Sequence, residues 1–346
     1  MLLAHINFAK GFRGGERQTQ LLIEQLAQLG LKQKLLVRKG SQLTKRCQKI
    51  ENLEIIEIAK PYILHLKHIT NATLLHAHET KAAQFAYFAN RLTAIPYIIT
   101  RRVDNPIKNN FLNKKIYSNA AVVVALSRAI KDEILKVAPN AVVEVIPSAF
   151  TDAAINEEKS ALIKKRFKGK YLIGNVGALD DGHKGQSHLI KVAKELEKSH
   201  PNIHFIFVGS GQDEEKLKTQ AQGLNNVTFE GFVNNVNDYI NSFDLFVFPS
   251  NNEGLGSILL DVMQLSVPIV ASNVGGIPDI IIDNKNGLLT PPANSDALKQ
   301  KILDLYADKE KSSQLASAAK TNIEKFSPSA MRDSYFTIYQ KIEKGL

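Results

Sequence analysis

The feature that most constrains the fold is an alternation of short apolar runs with amphipathic stretches, which occurs in two series along the chain. The first series predicts strands at Leu2–Phe8, Lys34–Val37, Leu53–Ile58, Leu74–Ala77, Tyr97–Thr100 and Ala121–Ala125, and the second predicts strands at Tyr171–Val176, Ile203–Val208, Val227–Phe229, Leu245–Phe248 and Pro268–Ala271. Strands that alternate with helices form parallel sheets covered on both faces. The pattern therefore predicts an α/β protein with two doubly wound domains and a ligand site in the cleft between them.

Chain length and one irregular segment predict the domain boundaries. At 346 residues the chain exceeds the size at which a single hydrophobic core usually stops growing. The rhythm of strands and helices breaks in a charged segment from Pro147 to about Lys170. We therefore expect domains at 1–165 and 166–325, followed by a terminal helical stretch at 326–346. Within the first domain, a helix from Glu16 to Leu29 is expected to end at Gly30.

Composition excludes several classes of protein. No apolar run approaches the roughly 20 residues of a membrane-spanning helix. The N-terminal run is interrupted by His5 and Asn7 and has no basic segment before it, unlike a signal peptide. The single cysteine, Cys47, permits no internal disulfide and no zinc–thiolate cluster. We therefore expect a cytoplasmic protein without redox chemistry.

The net charge of +10 favours anionic partners. Nucleic acid, an anionic membrane surface and phosphorylated small molecules all fit such a charge. The basic residues are scattered and the sequence has no recognisable nucleic-acid-binding motif, so we expect no nucleic-acid partner. A peripheral contact with the inner face of the cytoplasmic membrane is one hypothesis for the lysine-rich surface, and plain solvation is the alternative.

The strongest local signal follows the predicted strand Leu245–Phe248. Two glycines there allow a ligand to approach the backbone closely, and a helix that begins near Ser257 directs unpaired amides at it. The residues of this motif are Glu253, Gly254, Leu255, Gly256, Ser257 and Asp261. Asp261 lies among apolar helix residues, where a carboxylate needs a polar partner. A diphosphate and sugar hydroxyls would satisfy this pattern, and a capped turn with an Asp261–lysine pair is the alternative.

This segment resembles the Glu-x7-Glu motif of the retaining group 1 glycosyltransferases, which are also called family 4 and have the GT-B fold. The resemblance implies two Rossmann-like domains and a nucleotide-sugar donor. It implies that Glu253 contacts the donor sugar and that Asp261, which stands where the family usually has Glu, contacts the ribose. The neighbouring residues 254–257 are then donor-binding residues.

A second loop is similar to the family's diphosphate-binding loop. It runs from Gly177 to Gln186 after the strand that ends at Val176, and Lys184 matches the family's lysine. An ammonium beside a glycine in a strand-to-helix turn is a suitable point charge for phosphate, whereas a solvated surface lysine is the alternative. Ala178 occupies the position where many relatives have Arg, so phosphate neutralisation is expected to depend more on Lys184.

Weaker signals add to the predicted donor site. Gly14 and Gly15 open the first helix and resemble the family's glycine pair, although a flexible turn needs the same residues. Gly209 and Phe232 follow strands of the second series and resemble loops that flank the donor nucleotide.

His78, near the end of the strand Leu74–Ala77, resembles a histidine that the family places near the transferred sugar or the acceptor. His76 and His78 lie on the same side of a strand and would be able to hold a metal. The sequence shows no third ligand nearby, so we expect no metal.

Arg101 and Arg102 resemble an acceptor-side loop. Paired arginines suit an acidic or phosphorylated acceptor, and surface ion pairs with Asp104 and other acids are the alternative. Ser127 fits a family pattern but is more simply a helix N-cap.

The sequence therefore predicts a metal-independent, retaining glycosyltransferase without a cofactor. Lys184, Glu253 and His78 are the expected catalytic residues, Arg101 and Arg102 bind the acceptor, and the donor is a UDP-, GDP- or ADP-sugar. Domain 1–165 is expected to bind a glycan or lipid-linked acceptor, domain 166–325 the donor, and the stretch 326–346 to cross back onto the first domain. By resemblance the product belongs to lipopolysaccharide or surface-polysaccharide synthesis. The alternatives are a nucleotide-sugar epimerase of the same fold and a non-catalytic scaffold that binds nucleotide-sugar.

Overall fold

The structure, a computed structural model, describes residues 1–151 and 154–345 and divides into two compact units. Unit 1 comprises Met1–Ala149 together with Phe326–Leu346, and unit 2 comprises Phe150–Lys325. The first boundary lies earlier in the chain than the predicted 165/166, whereas the second coincides with the predicted 325/326. The charged segment that follows the observed first boundary contains the helix Glu157–Arg166, which belongs to unit 2. Ser160 on this helix donates a hydrogen bond to the Asp238 carbonyl of the same unit.

Unit 1 is built on a seven-stranded parallel sheet in the order β3-β2-β1-β4-β5-β6-β7. The strands are β1 Leu2–Asn7, β2 Lys32–Arg38, β3 Leu53–Ile58, β4 Leu74–Ala77, β5 Tyr97–Arg101, β6 Val122–Ala125 and β7 Val143–Val145. The helices between them are α1 Gly14–Ala27, α2 Gln42–Cys47, α3 Thr80–Thr93, α4 Phe111–Ser118 and α5 Arg128–Val137, with a 3-10 helix at Tyr62–His68. The switch in strand order between β1 and β4 is the position at which doubly wound sheets bind ligands.

Unit 2 contains a six-stranded parallel sheet in the order β10-β9-β8-β11-β12-β13. Its strands are β8 Tyr171–Val176, β9 Ile203–Val208, β10 Val227–Gly231, β11 Leu245–Phe248, β12 Ile269–Ser272 and β13 Leu288–Thr290. Its helices are α6 Glu157–Arg166, α7 Asp181–Lys184, α8 Gln186–Leu196, α9 Glu214–Gln220, α10 Val236–Ile240, α11 Ile258–Gln264, α12 Ile277–Ile280, α13 Ser295–Ala307 and α14 Lys309–Thr321, with a 3-10 helix at Ile323–Phe326. Here the strand order switches between β8 and β11. The two doubly wound sheets confirm the predicted fold class.

The last helix, α15 Pro328–Glu343, belongs to unit 1. Its apolar face packs with α1 and with strand residues in one buried cluster, whose members include Leu3, Leu22, Tyr335 and Tyr339. Ser327 caps the helix, because its hydroxyl accepts a hydrogen bond from the Ala330 amide at 3.2 Å. The last helix therefore completes the core of the first unit.

Two short strands were not predicted from the sequence, and several element bounds differ from the expected ones by one or two residues. Strands β7 and β13 have three residues each, which is too short for an apolar run or an alternation to be recognised. Helix α1 begins at Gly14, two residues earlier than expected, because Arg13 and Glu16 form a capping box in which the Arg13 amide donates to the Glu16 carboxylate at 2.9 Å. The predicted stop is present, since Gly30 adopts φ 72°. Among the described residues, no helix combines the length and the apolar character needed to cross a bilayer.

Candidate active site

In unit 2, Lys184 and Glu253 form an ion pair. Lys184 ends α7 in the loop after β8, and Glu253 lies in the loop after β11, the neighbouring strand in the sheet. Both side chains are largely buried, with 25% and 14% of their surfaces exposed. The ammonium of Lys184 also lies 5.3 Å from the centre of the Phe248 ring. The two residues that the sequence singled out most strongly therefore meet at the carboxyl ends of adjacent strands.

Hydrogen bonds between the two loops fix this meeting point. The Asn251 amide nitrogen donates to the His183 carbonyl at 2.8 Å, and the His188 ring lies 3.1 Å from the Asn251 side-chain oxygen. Between them, Gly185 adopts φ 62°, and a Cβ at this position would stand 2.3 Å from the Pro249 carbonyl oxygen. Only glycine permits both the left-handed backbone and this close approach.

The rest of the 253–261 motif divides into loop and helix. Gly254, Leu255 and Gly256 are buried, so only their backbone is available to a ligand, and Gly256 has φ 81°. Ser257 precedes α11 and its side chain makes no capping hydrogen bond. The Glu253 carbonyl also accepts from the Gly276 amide at 3.0 Å, which ties the motif to the loop after β12.

Asp261 lies in the first turn of α11 and is 4% exposed. Its Oδ1 atom accepts hydrogen bonds from both the backbone amide and the hydroxyl of Thr151, each at 3.0 Å. The structure thus provides the polar partner that this buried carboxylate requires. One partner is Thr151, and the predicted ribose contact stays a prediction.

The two weaker donor-site signals of unit 2 lie next to each other. Gly209 follows β9 with φ 141°, and its amide donates to the Gly231 carbonyl at 2.8 Å. A Cβ on Gly209 would stand 1.9 Å from the Gly177 carbonyl oxygen, so this crossing also requires glycine. Phe232, directly after Gly231, is 74% exposed. An exposed aromatic ring beside a strand end is available for stacking on a base.

In unit 1, a cavity of about 180 Å³ collects the predicted catalytic histidine and the predicted acceptor arginines. Its lining includes His78, Thr100, Arg101, Arg102 and Tyr117. These residues lie after β4, at the end of β5 and on α4. The structure therefore brings the three predicted residues His78, Arg101 and Arg102 together, and their catalytic and acceptor-binding roles stay predictions.

The two arginines of this cavity have different surroundings. Arg101 donates to the Tyr117 hydroxyl at 3.2 Å and to the Asn105 carbonyl, so part of its guanidinium has a structural role. Burial lowers the pKa of Arg102, while Tyr335, Glu16 and Tyr339 oppose that shift. The Nε atoms of both arginines are buried and have no hydrogen-bond partner among the described residues.

The glycine pair lies beside Arg102. Gly14 and Gly15 form the first turn of α1, and a Cβ on Gly15 would stand 3.3 Å from Cδ of Arg102. Gly15 therefore lets the arginine pack against the start of the helix. The predicted donor contact of this glycine pair stays a prediction.

His78 is part of a cluster of three buried histidines with His5 and His76. His5 is the third histidine, which sequence reasoning did not find. One ring nitrogen from each histidine lies within 4.8 Å of the others, which is close enough for a shared metal ion. However, five of the six ring nitrogens already have hydrogen-bond partners among the described residues. The four contacts that pair them are 3.0 Å or shorter: one joins His5 to His78, and the others reach Gln33, Thr100 and Tyr339. The arrangement fits a hydrogen-bonded chain better than a coordination shell.

Burial keeps these imidazoles neutral. Burial lowers the pKa of His5 to about 4, and it lowers the pKa values of His76 and His78 well below 6.5. The charge of Arg102 acts in the same direction on His76 and His78. At neutral pH each ring therefore carries a proton on one nitrogen and a lone pair on the other.

Sequence reasoning missed His5, Gln33 and Asn251. The one signal for His5 was that it interrupts the apolar run of β1. Gln33 and Asn251 gave no signal, because their importance depends on which strands and loops become neighbours.

Comparison with known proteins gives a consistent result. The family model of glycosyl transferases group 1 matches residues 156–322. The chain is 27% identical over 301 residues to an alpha-D-kanosaminyltransferase of Streptomyces kanamyceticus, covering 78% of this chain and 77% of the relative. It is 26% identical over 266 residues to an uncharacterized glycosyltransferase of Methanocaldococcus jannaschii, covering 73% of this chain and 71% of the relative.

Solved structures show the same fold over the whole chain. The Anabaena protein HepE in complex with UDP aligns with a TM-score of 0.88 at 17% identity, over 99% of this chain and 100% of that one. A glycosyltransferase from Rickettsia africae aligns with a TM-score of 0.86 at 22% identity, over 100% and 99% of the two chains.

The fold is the GT-B architecture of two doubly wound units. The chain is a glycosyltransferase of this fold, and its segment 156–322 is similar to the glycosyl transferases group 1.

Proposed function

We propose that this enzyme transfers a sugar from a nucleotide-sugar donor to a glycan or lipid-linked acceptor with retention of anomeric configuration. The observation that carries the proposal is the Lys184–Glu253 pair between the loops after β8 and β11. These loops follow the two strands at which the order of the unit 2 sheet switches, and doubly wound sheets bind nucleotides at that point.

The donor diphosphate is proposed to bind at Lys184. A diphosphate competes with the Glu253 carboxylate for the ammonium, and the released carboxylate then accepts hydrogen bonds from the sugar hydroxyls. Lys184 stabilises the negative charge that develops on the departing diphosphate. Solved relatives of the same fold are described in complex with UDP and with UDP-glucose, so a UDP-sugar is the first donor to test, ahead of GDP- and ADP-sugars.

The cavity of unit 1 is the proposed acceptor site. Arg101 and Arg102 favour an acidic or phosphorylated group there, and His78 supplies a neutral imidazole to a hydroxyl. An acceptor of this chemistry suits lipopolysaccharide or other surface-polysaccharide synthesis, which takes place in the cytoplasm at the inner membrane face. Retention is proposed because the acceptor attacks from the face that the diphosphate leaves, and Lys184 provides the positive charge that a metal supplies in other transferases.

Calorimetry tests the donor site. UDP-, GDP- and ADP-sugars are titrated into the wild type, Lys184→Ala and Glu253→Ala. Lys299→Ala is the matched control, because Lys299 forms an exposed ion pair with Glu195 at 2.6 Å on the surface of the same unit. We expect one nucleotide family to bind and both site variants to weaken it about tenfold or more, as the loss of a charge-assisted contact predicts, while the control is unchanged. Equal affinity in all four proteins would refute the assignment.

Analysis of the reaction products tests the type of reaction, and sedimentation with lipid vesicles tests the membrane contact. Donor that stays intact, apart from slow hydrolysis, until an acceptor is added supports a transferase. An altered donor sugar in the absence of acceptor would show an epimerase, and binding without turnover would show a scaffold. Vesicle sedimentation at low salt tests the membrane contact. Equal binding to anionic and neutral lipid would refute it.

A further inference from the structure

The unusual feature of the histidine cluster is one unpaired nitrogen. Nδ1 of His78 is buried and has no hydrogen-bond partner among the described residues. The side chain itself is 3% exposed and lines the cavity of unit 1. A buried polar atom without a partner costs free energy, so an unpaired atom in a cavity wall indicates a contact with a ligand.

The protonation state of this nitrogen follows from Gln33, two strands away. The Gln33 Nε2 atom donates to the Ile23 carbonyl at 3.0 Å, and this bond fixes the orientation of the side-chain amide. The Oε1 atom of Gln33 therefore faces His5 Nε2 at 3.0 Å. Because an amide oxygen only accepts, His5 Nε2 carries the proton of that ring.

The same reasoning extends from His5 to His78. Burial keeps His5 neutral, so its Nδ1 atom has a lone pair and no proton. His78 Nε2 lies 2.9 Å from that atom and must be the donor. Since His78 is neutral as well, its single proton is on Nε2, and its Nδ1 atom is a bare acceptor.

We propose that Gln33 and His5 act as positioning residues, which lock His78 in the tautomer whose Nδ1 lone pair faces the cavity and accepts the hydrogen of a substrate hydroxyl group. The function of this lone pair rests on the sugar transfer proposed above. The chain of hydrogen bonds crosses three neighbouring strands of the sheet, from β2 through β1 to the end of β4.

The cavity wall complements this acceptor with donors. Arg101 and Arg102 line the same cavity, and their buried Nε atoms have no hydrogen-bond partner among the described residues. A ligand that carries a hydroxyl group close to an anionic oxygen would satisfy both kinds of group. Its hydroxyl would donate to the His78 lone pair, and its anionic oxygen would accept from the guanidinium groups. The ligand class that fits is a hydroxylated, acidic one.

A second chain of hydrogen bonds holds His76 independently. Its Nδ1 atom lies 2.8 Å from the Tyr339 hydroxyl, and its Nε2 atom lies 2.7 Å from Thr100 Oγ1. Tyr339 touches none of the Gln33, His5 and His78 contacts. Tyr339→Phe therefore removes a buried hydrogen bond beside His78 and leaves the proposed relay intact, which makes it the matched control for Gln33→Met.

Nitrogen NMR of histidine-labelled protein reads the tautomer directly. The His78 signals are assigned by their loss in His78→Asn, and the unprotonated ring nitrogen is recognised by its downfield shift. We expect the wild type and Tyr339→Phe to show His78 with its proton on Nε2. In Gln33→Met, where the acceptor for His5 is gone, we expect a mixture of both His78 tautomers. A wild-type proton on Nδ1, a charged His78, or an unchanged tautomer in Gln33→Met would each overturn the proposal.

Turnover of UDP-glucose in water provides the functional readout. Gln33→Met is expected to lower kcat/KM about three- to tenfold relative to Tyr339→Phe, which corresponds to the loss of one hydrogen bond. Equal values in the two variants would remove the role in substrate positioning. The NMR result needs no donor, so absence of donor binding in the wild type would count against the proposed function and not against the locked tautomer.

Discussion

Replacing Gly185 by alanine tests whether the loops that carry Lys184 and Glu253 must stay in contact. A Cβ at this position would stand 2.3 Å from the Pro249 carbonyl oxygen, whereas ordinary contacts begin at 3.4 Å. The Pro249 backbone therefore has to move by about 1 Å, and a displacement of that size at a reacting centre costs roughly a hundredfold in rate. We expect kcat/KM for the donor to fall by about that factor.

Gly223→Ala is the control that separates the clash from backbone strain. Gly223 lies in the same unit with φ 83°, and a Cβ there would meet nothing within 4 Å. Both substitutions place alanine in the left-handed region, which costs about 1–2 kcal/mol. Urea unfolding should therefore show at least this loss of stability in both variants, while only Gly185→Ala loses donor turnover and donor affinity by calorimetry. If kcat/KM of Gly185→Ala were within twofold of the value for Gly223→Ala, the clash with Pro249 would have no effect on donor turnover and the prediction would be refuted.

Three further predictions concern the stability and reactivity of unit 1. Burial lowers the pKa of His5 from 6.5 to about 4, so the unfolded state binds more protons between these values and the free energy of unfolding falls as the pH drops through this window. The loss from this histidine is about 3 kcal/mol at about 1.4 kcal/mol per pKa unit. Urea unfolding from about pH 7 to about pH 4 should show at least this loss, because buried His76 and His78 add to it, and a flat profile would contradict it. Cys47 is 1% exposed, and burial raises the pKa of its thiol to about 12. A thiol reagent should therefore label it only in the unfolded protein, and rapid labelling of the native protein would contradict the buried position. The Ser127 hydroxyl accepts a hydrogen bond from the Ile130 amide at 3.3 Å, so Ser127→Ala should lower the free energy of unfolding by about 1 kcal/mol without changing donor affinity, and a loss of donor affinity would show a role beyond the helix cap.

Much of the fold was predictable because apolar runs and breakers act locally. Strands such as Leu53–Ile58 and Ile203–Val208 have the predicted bounds, since each is a short run of mostly apolar residues. Strands β7 and β13 were missed because three residues are too few to show a periodic pattern of apolar residues. The sequence pattern of the two series was thus sufficient for the architecture, while the shortest pairings depend on tertiary contacts.

The candidate site was predictable only in part. Lys184 and Glu253 were recognisable because each follows a strand in a glycine-containing loop, and their meeting depends only on β8 and β11 being neighbours. The His5–Gln33 contact depends on the full order of the first sheet, in which β1 separates β2 from β4. A residue's role in such a relay is set by its neighbours in space, and no spacing along the chain reveals it.

Helix α15 has a consequence for how the protein is made. Unit 2 is one continuous stretch of chain, Phe150–Lys325, whereas the core of unit 1 includes Tyr335 and Tyr339 from the last helix. During translation the first seven strands emerge before the residues that cover part of their apolar surface. Unit 1 therefore cannot complete its core, and Leu3 and Leu22 stay incompletely covered, until residues 328–343 have left the ribosome. A ribosome stalled after residue 325 would hold a nascent chain in which unit 2 has all its residues and unit 1 does not.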